Sequence, residues 1–317
     1  MGNVMSRLDA IPEGCVSVLL LTVLLGTLCP LDASLASPPL SSRPTKQPIE
    51  TTKVIPDAYG LPSQQLCNLL HSGHVYQART ILARTSRQPG DEDMRQCWLG
   101  ACFSVEQKYE ESVVEFAKVK HMDRAPGCVF HMAARAYAQV QDTARAIEIS
   151  SLGIERVNDY ENYEIRAACY NGEKRYVEAA GDYEKAALSR PRTAGNFHCK
   201  AALALLSANR PSQALALIGE VPSAGLEADG VAVLLTKAMC LERLNRWSDA
   251  VAVLTTAIAL AKTILQPERS AFSLNNCLAE RAKCYDKMGK KAEAVADRQR
   301  QEQLSGGWAS DLMGKRH

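Results

Sequence analysis

The 317 residues carry 37 basic and 35 acidic side chains, a net charge of +2, so no whole-chain field draws in nucleic acid or an anionic bilayer. Apolar residues make up 46% but aromatics only 6%, so a core must be built mainly from Ala, Leu and Val. That suits close-packed helices and excludes a sheet-rich domain as the first expectation. In chain order, the first predicted element is the uncharged run Cys15 to Leu28, CVSVLLLTVLLGTL, with Arg7 before it and the small–x–small exit Ser34-Leu35-Ala36 after it. The pattern predicts a secretory signal peptide over residues 1–36, cleaved after Ala36. An uncleaved anchor is the alternative, weakened because the run falls short of the roughly 20 apolar residues of a spanning helix and Pro30 closes it. The expected location is therefore exported: periplasmic, extracellular or envelope-associated, with membrane contact only if the N-terminal segment stays attached. Residues 37–62 hold Pro38, Pro39, Pro44, Pro48, Pro56 and Pro62 among Ser, Thr and Lys, a composition that predicts an extended linker.

From Ser63 onward one period organises the chain. The pattern Gly/polar–x–Tyr/Trp–x–x–Ala places small residues at Ala78, Ser112, Ala146, Ala179, Ala214, Ala250 and Ala294, in steps of 34, 34, 33, 35, 36 and 44. The clearest unit is Tyr160 to Pro191. Ala167 and Tyr170 share one face of its first predicted helix, and Ala179, Tyr183 and Ala186 one face of its second. Small residues at Ala167 and Ala179 let the two helices approach closely, and Pro191 ends the unit. Trp98, Gly100, Phe103, Tyr109, Ser112 and Phe116 mark another unit, and Ala238, Leu241, Trp247, Ala250, Leu254 and Ala257 a further one. The step of 44 predicts extended helices over Ser248–Leu265 and Ser270–Met288, with Pro267 as a break between them. The last unit, residues 270–303, ends in a polar helix with Gly306-Gly307 as its stop, and residues 304–317 are predicted to be a disordered tail.

These residues and their spacing resemble the tetratricopeptide repeat family, whose unit is a helix–turn–helix of about 34 residues. Seven units in phase cover residues 63–303. The resemblance implies an all-α, right-handed superhelical solenoid of antiparallel helix pairs, with a concave groove lined by the first helix of each pair. It also implies a protein or peptide partner, no enzymatic activity and no cofactor.

Within that frame the groove positions can be named. Early units offer His131, Arg135 and Gln139, and the middle one Glu161 and Glu164. The fifth and sixth units offer Leu203, Leu206, Leu235, Met239 and Arg243, an apolar stretch edged by charge and expected to dock a partner's peptide or amphipathic helix. No unit carries the Lys–Asn pair that chaperone-binding relatives use to hold a C-terminal carboxylate. A self-associating or envelope-tethered spacer, a homo-oligomer of this chain, is the alternative reading. Nucleic-acid binding lacks a basic stripe, since Lys174, Arg175 and Lys185 alternate with Glu173, Glu178 and Glu184.

Nine cysteines follow the predicted cleavage point. Cys102, Cys169, Cys240 and Cys284 each lie ten residues before a key small residue, a register of small apolar fillers. Cys67, Cys97 and Cys128 fall on the groove side. In an oxidising compartment a disulfide is expected between adjacent units, Cys67–Cys97 or Cys97–Cys128. His71 and His131 share that side with Cys67, but their spacing favours isolated surface residues over a metal site. No Gly-x-Ser-x-Gly and no Gly-x-x-x-x-Gly-Lys-Ser/Thr occurs, so neither a nucleophile elbow nor a phosphate loop is present.

Overall fold

The structure, a computed structural model, describes residues 62–85, 90–219, 221, 227–264 and 267–314. The expected signal peptide and the expected linker before Pro62 lie outside the described residues. Among the described residues every regular element is helical. Fourteen α-helices among the described residues follow one another as seven pairs. They fall into two compact units, one ending at Glu173 and the other beginning at Lys174.

The first unit holds α1 (Ser63–His71), α2 (Val75–Arg84), α3 (Glu92–Val105), α4 (Tyr109–Phe116), α5 (Gly127–Gln139), α6 (Thr143–Val157) and α7 (Tyr160–Gly172). Two of these helices start on side-chain caps. Asp142 accepts the Arg145 amide at 3.1 Å ahead of α6, and Asp159 accepts the Asn162 amide at 3.0 Å ahead of α7. One continuous core runs through the unit, with Trp98, Phe130, Leu66, Leu70, Ile149 and Val129 among its fully buried side chains. Two buried hydroxyls inside it are matched: the Ser112 hydroxyl donates to the Gly100 carbonyl at 2.8 Å, and Ser104 donates to the Met132 carbonyl at 2.8 Å.

The second unit holds α8 (Tyr176–Ser189), α9 (Ala194–Ser207), α10 (Pro211–Gly219), α11 (Glu227–Arg243), α12 (Trp247–Ala261), α13 (Pro267–Lys287) and α14 (Lys291–Gly314). Leu234, Leu241, Leu254, Ile258, Leu274 and Leu278 share a core with Ala238, Ala250, Ala257 and Cys277. Arg281 of α13 forms a two-pronged bond to Asp297 of α14, Nε to Oδ2 at 2.8 Å and an Nη to Oδ1 at 2.7 Å. Arg298, where the repeat pattern would place an aromatic, pairs with Asp286 instead.

The turn inside each pair repeats in register. Gly73, Gln107, Gln141, Lys174, Asn209, Asn245 and Gly289 all take positive φ, each five residues before its key small residue. The next amide reaches back across the turn to the first helix: His74 N–H to Leu69 O at 2.8 Å, Lys108 to Phe103 at 2.9 Å, Asp142 to Tyr137 at 2.9 Å, Arg246 to Leu241 at 2.9 Å. This is the six-to-one bond of a Schellman ending, which needs a left-handed residue at the turn. Every key small residue, from Ala78 to Ala294, has no exposed surface.

Three boundaries differ from expectation. Pro267 opens α13 instead of merely breaking the chain, because the first helical position has no amide bond to lose. The helix before it, α12, ends at Ala261 and does not extend to Leu265. And α14 continues through Gly306 and Gly307 to Gly314, where a disordered tail was expected; a glycine pair lowers helix propensity by about 1 kcal/mol per residue but does not by itself end a helix already under way. Among the described residues no helix is long and apolar enough to cross a membrane.

Candidate functional site

The first helices of the first unit bring a cluster of titratable side chains to one face. Cys67 and His71 lie one turn apart on α1, so both point to the same side. The His71 ring nitrogen Nδ1 donates to the Cys67 carbonyl at 2.9 Å and stands 3.5 Å from the Cys67 sulfur. Cys128, at the start of α5, acts on the Cys67 thiol electrostatically. One turn along α5, the His131 ring packs against that of His71 with centroids 5.4 Å apart. His131 is buried, its Nδ1 makes no hydrogen bond, and the nearest acid, Asp159 Oδ2 at the head of α7, is 3.8 Å away. Glu161, on the first turn of α7, adds negative potential at His71.

The electrostatics of this cluster favour a thiolate–imidazolium pair. Cys128 acts most strongly on Cys67; burial opposes it, and the hydrogen bond and charge of His71 add to it, drawing the thiol down to about 5. His71 is pushed up to about 9, chiefly by its bond to Cys67. Cys128 moves upward for the same reason. The remaining assigned thiols go the other way. Burial raises Cys97, Cys240 and Cys277 to about 12 and Cys102 and Cys169 to about 11.

The expected cysteine pairing needs correction. All nine cysteines from Cys67 onward are free thiols, and the one that acts most on the Cys67 thiol is Cys128, two units on, not Cys97. Cys97 is turned into the core beside Trp98 and Ala101, so neither Cys67–Cys97 nor Cys97–Cys128 is a groove-side pair. The reading of His71, Cys67 and His131 as isolated surface residues fails as well, since the rings touch. Among the described residues no group of three or more His, Cys, Asp and Glu side chains is arranged to hold a metal ion.

The expected apolar groove also needs correction. Leu203 and Leu206 are 1% and 2% exposed, and Leu235 and Met239 are 6% exposed each. On α9 six successive positions, Ala201 through Leu206, are buried, which means that helix is covered on every side and presents no apolar stripe to solvent. Arg243 and Gln139 are exposed and Arg135 is half-buried, as surface positions on first helices should be, whereas His131 is buried. The sequence reading also missed Asp159 as a member of the cluster. Its only signal was its place as an N-cap before α7.

A second charged cluster lies on the first helices of the second unit. Lys283 of α13 bridges Glu242 of α11 at 2.7 Å and Glu280 at 3.0 Å. Burial, then the charge of Glu280, push the Glu242 carboxyl upward, while Lys283 opposes them.

No protein-family model and no curated protein sequence matches the chain. Solved structures do. The C-terminal part of a TPR repeat-containing protein from Cytophaga hutchinsonii is similar at 12% identity over 76% of this chain and 94% of its own, with a TM-score of 0.57. A tetratricopeptide repeat protein from Parabacteroides merdae (12% identity, 76% and 91% covered, TM-score 0.45) and YrrB, described as a TPR protein with an unusual peptide-binding site (14%, 66% and 98%, 0.43), are also similar. Seven in-phase helix pairs and the likeness to the Cytophaga structure together give this chain the tetratricopeptide repeat fold.

Proposed function

We propose that this chain is a non-catalytic scaffold that holds a peptide segment of a partner protein against the first-helix face of residues 62–173. A tetratricopeptide repeat fold generally serves protein–protein interaction. The observation that carries the finer reading is the polarity of that face: His71 on α1, Arg135 and Gln139 on α5, and Glu161 and Glu164 on α7 reach its surface, whereas Leu203, Leu206 and Leu235 of the second unit are buried. Basic and acidic groups side by side suit a peptide of mixed charge, held by paired contacts instead of a single hydrophobic anchor.

The test is affinity capture with the full chain from its native source, with wild type compared against Arg135→Glu and Glu164→Lys. Val114→Glu serves as control, because Val114 is exposed on the second helix α4. A partner lost with the first two variants and kept with the third supports the reading. A partner retained by all three would place the binding surface elsewhere. Export through residues 1–36 is part of the same proposal, supported by the uncharged run Cys15 to Leu28 and the exit Ser34-Leu35-Ala36. N-terminal sequencing of the natural protein would find Ser37 first if cleavage follows Ala36.

A further inference from the structure

We propose that Glu242, Glu280 and Lys283 form a subsite for the guanidinium of a partner protein's arginine, which enters by displacing the ammonium of Lys283. The site belongs to the second unit and is independent of the first-helix face of residues 62–173, so either reading can fail without the other.

Depth supports it first. Glu242, in the last turn of α11, is the floor, with a side chain 5% exposed. Glu280 of α13 is 15% exposed, and Lys283, three residues along the same helix, is 46% exposed. The two carboxylates therefore sit inside, and the group that covers them is a flexible cation already half in water.

Charge and hydrogen bonding support it next. Lys283 Nζ stands 2.7 Å from Glu242 Oε2 and 3.0 Å from Glu280 Oε2, so two carboxylates share one ammonium and one negative charge is left over. Glu242 Oε1 is buried and accepts no hydrogen bond, whereas a buried carboxylate oxygen ordinarily has a partner. Burial and the charge of Glu280 push the Glu242 carboxyl upward, as befits an anion short of a counter-charge. The neighbouring Arg281–Asp297 pair shows what is missing. There one guanidinium meets both oxygens of one carboxylate, at 2.8 and 2.7 Å.

The vacancy has the shape of that same fork. An ammonium is a point charge, and on Glu242 it leaves Oε1 unmet. A guanidinium is planar, carries five N–H donors and meets both oxygens of a carboxylate side by side. A partner's arginine in place of the Lys283 head would meet Oε1 and Oε2 of Glu242 together and turn its remaining N–H groups to Glu280. Lys283, released to water on its four-carbon stem, stays close enough to offset the leftover charge.

The experiment titrates full-length, 15N-labelled protein with N-acetyl-L-arginine amide, followed by NMR in low salt at about pH 8, where carboxylates are ionised. N-acetyl-L-citrulline amide is the control, because a neutral urea of nearly the same shape replaces the guanidinium. Saturable shifts at the amides of Glu242, Glu280 and Lys283 are expected with the arginine compound and none with the citrulline compound. Glu242→Gln keeps the shape of the side chain and should weaken binding about tenfold or more, the worth of a charged hydrogen bond. Lys283→Met removes the tethered competitor and should tighten binding roughly threefold or more. A cluster that only struts α11 against α13 would lose stability in that variant without binding better. Unsubstituted protein carries the test by itself where a variant does not fold: the arginine compound should move the Lys283 ε-methylene resonance toward that of a free lysine. No shift with the arginine compound, equal shifts with the citrulline compound, or an affinity left unchanged by Glu242→Gln or Lys283→Met would overturn the proposal.

Discussion

Gly100 and Phe116 leave no room between them for a side chain: a methyl group at Gly100 would lie 2.8 Å from the Phe116 Cε1. Phe116 is buried and cannot swing away, and the Gly100 carbonyl is held by the Ser112 hydroxyl at 2.8 Å. The close approach of α3 and α4 is therefore set by the absence of one Cβ. Two effects compete in Gly100→Ala. Helix propensity favours alanine by about 1 kcal/mol, while overpacking costs about 1–3 kcal/mol. The contact is short enough for overpacking to win. Urea denaturation should show a net loss of stability, larger again for Gly100→Val.

The left-handed turn residues offer the opposite sign. Gln107 and Gln141 hold φ of 61° and 65° where Gly73 and Gly289 hold 72° and 73° in the same register. A side chain in that region costs roughly 1–2 kcal/mol relative to glycine. Gln107→Gly and Gln141→Gly should each raise stability by about 0.5–1 kcal/mol, the lower figure allowing for the greater freedom of glycine in the unfolded chain. Gly73→Ala and Gly289→Ala should lower it. Thermal melts of the four single variants check both signs. This register was legible in the sequence, because Gly, Gln, Lys or Asn stands five residues before every key small residue. What the spacing could not give was the conformation at the two glutamines, since their side chains carry no left-handed preference of their own.

Leu203 and Leu206 separate what periodicity reveals from what it hides. The repeat register correctly puts both on a first helix, and the same register leads to a solvent-facing apolar stripe. It fails because α9 is buried over six successive residues, and a helix covered on all sides has no stripe to expose. His71 and His131 show the converse. Their contact depends on how far two non-adjacent helices converge, a distance that no spacing within one repeat encodes. The expected consequence is that Leu203→Ala or Leu206→Ala costs about 2–5 kcal/mol, as core truncations do. Chemical denaturation would show the loss, and any reduced capture of a partner should follow that loss in proportion.

The Arg281–Asp297 bond ties the last helix to the one before it. Both side chains are largely shielded from water, at 16% and 8% exposure, and Arg281 also donates to Thr255 at 3.0 Å. Removing one partner of a fully buried pair costs about 3–5 kcal/mol; the residual exposure here sets the expectation for Asp297→Ala at about 2–3 kcal/mol. The loss should be local. Hydrogen exchange in α14 should quicken while amides of α3 to α5 keep their protection.

The Cys67–His71 pair makes a pH signature with a defined shape. His71 is raised from 6.5 to about 9, so alone it contributes stability that is complete below 6.5 and gone by about 9. Cys67 is lowered from 9.0 to about 5, so alone it contributes stability that is complete above 9 and lost as pH falls through about 5. The two act on one ion pair, and their slopes cancel between 6.5 and 9, where the folded and unfolded chains bind the same number of protons. Between 5 and 6.5 the unfolded chain binds one proton more, so stability rises with pH there. The difference in unfolding free energy between wild type and a Cys67→Ser, His71→Gln variant should therefore climb from pH 5 to 6.5 and stay level to about 9. Both groups are partly exposed, so salt should shrink the climb by moving its low-pH edge upward. A difference that is flat across pH 5 to 6.5, or one that falls between 6.5 and 9, would mean that the thiol and the ring titrate independently and that no thiolate–imidazolium pair exists.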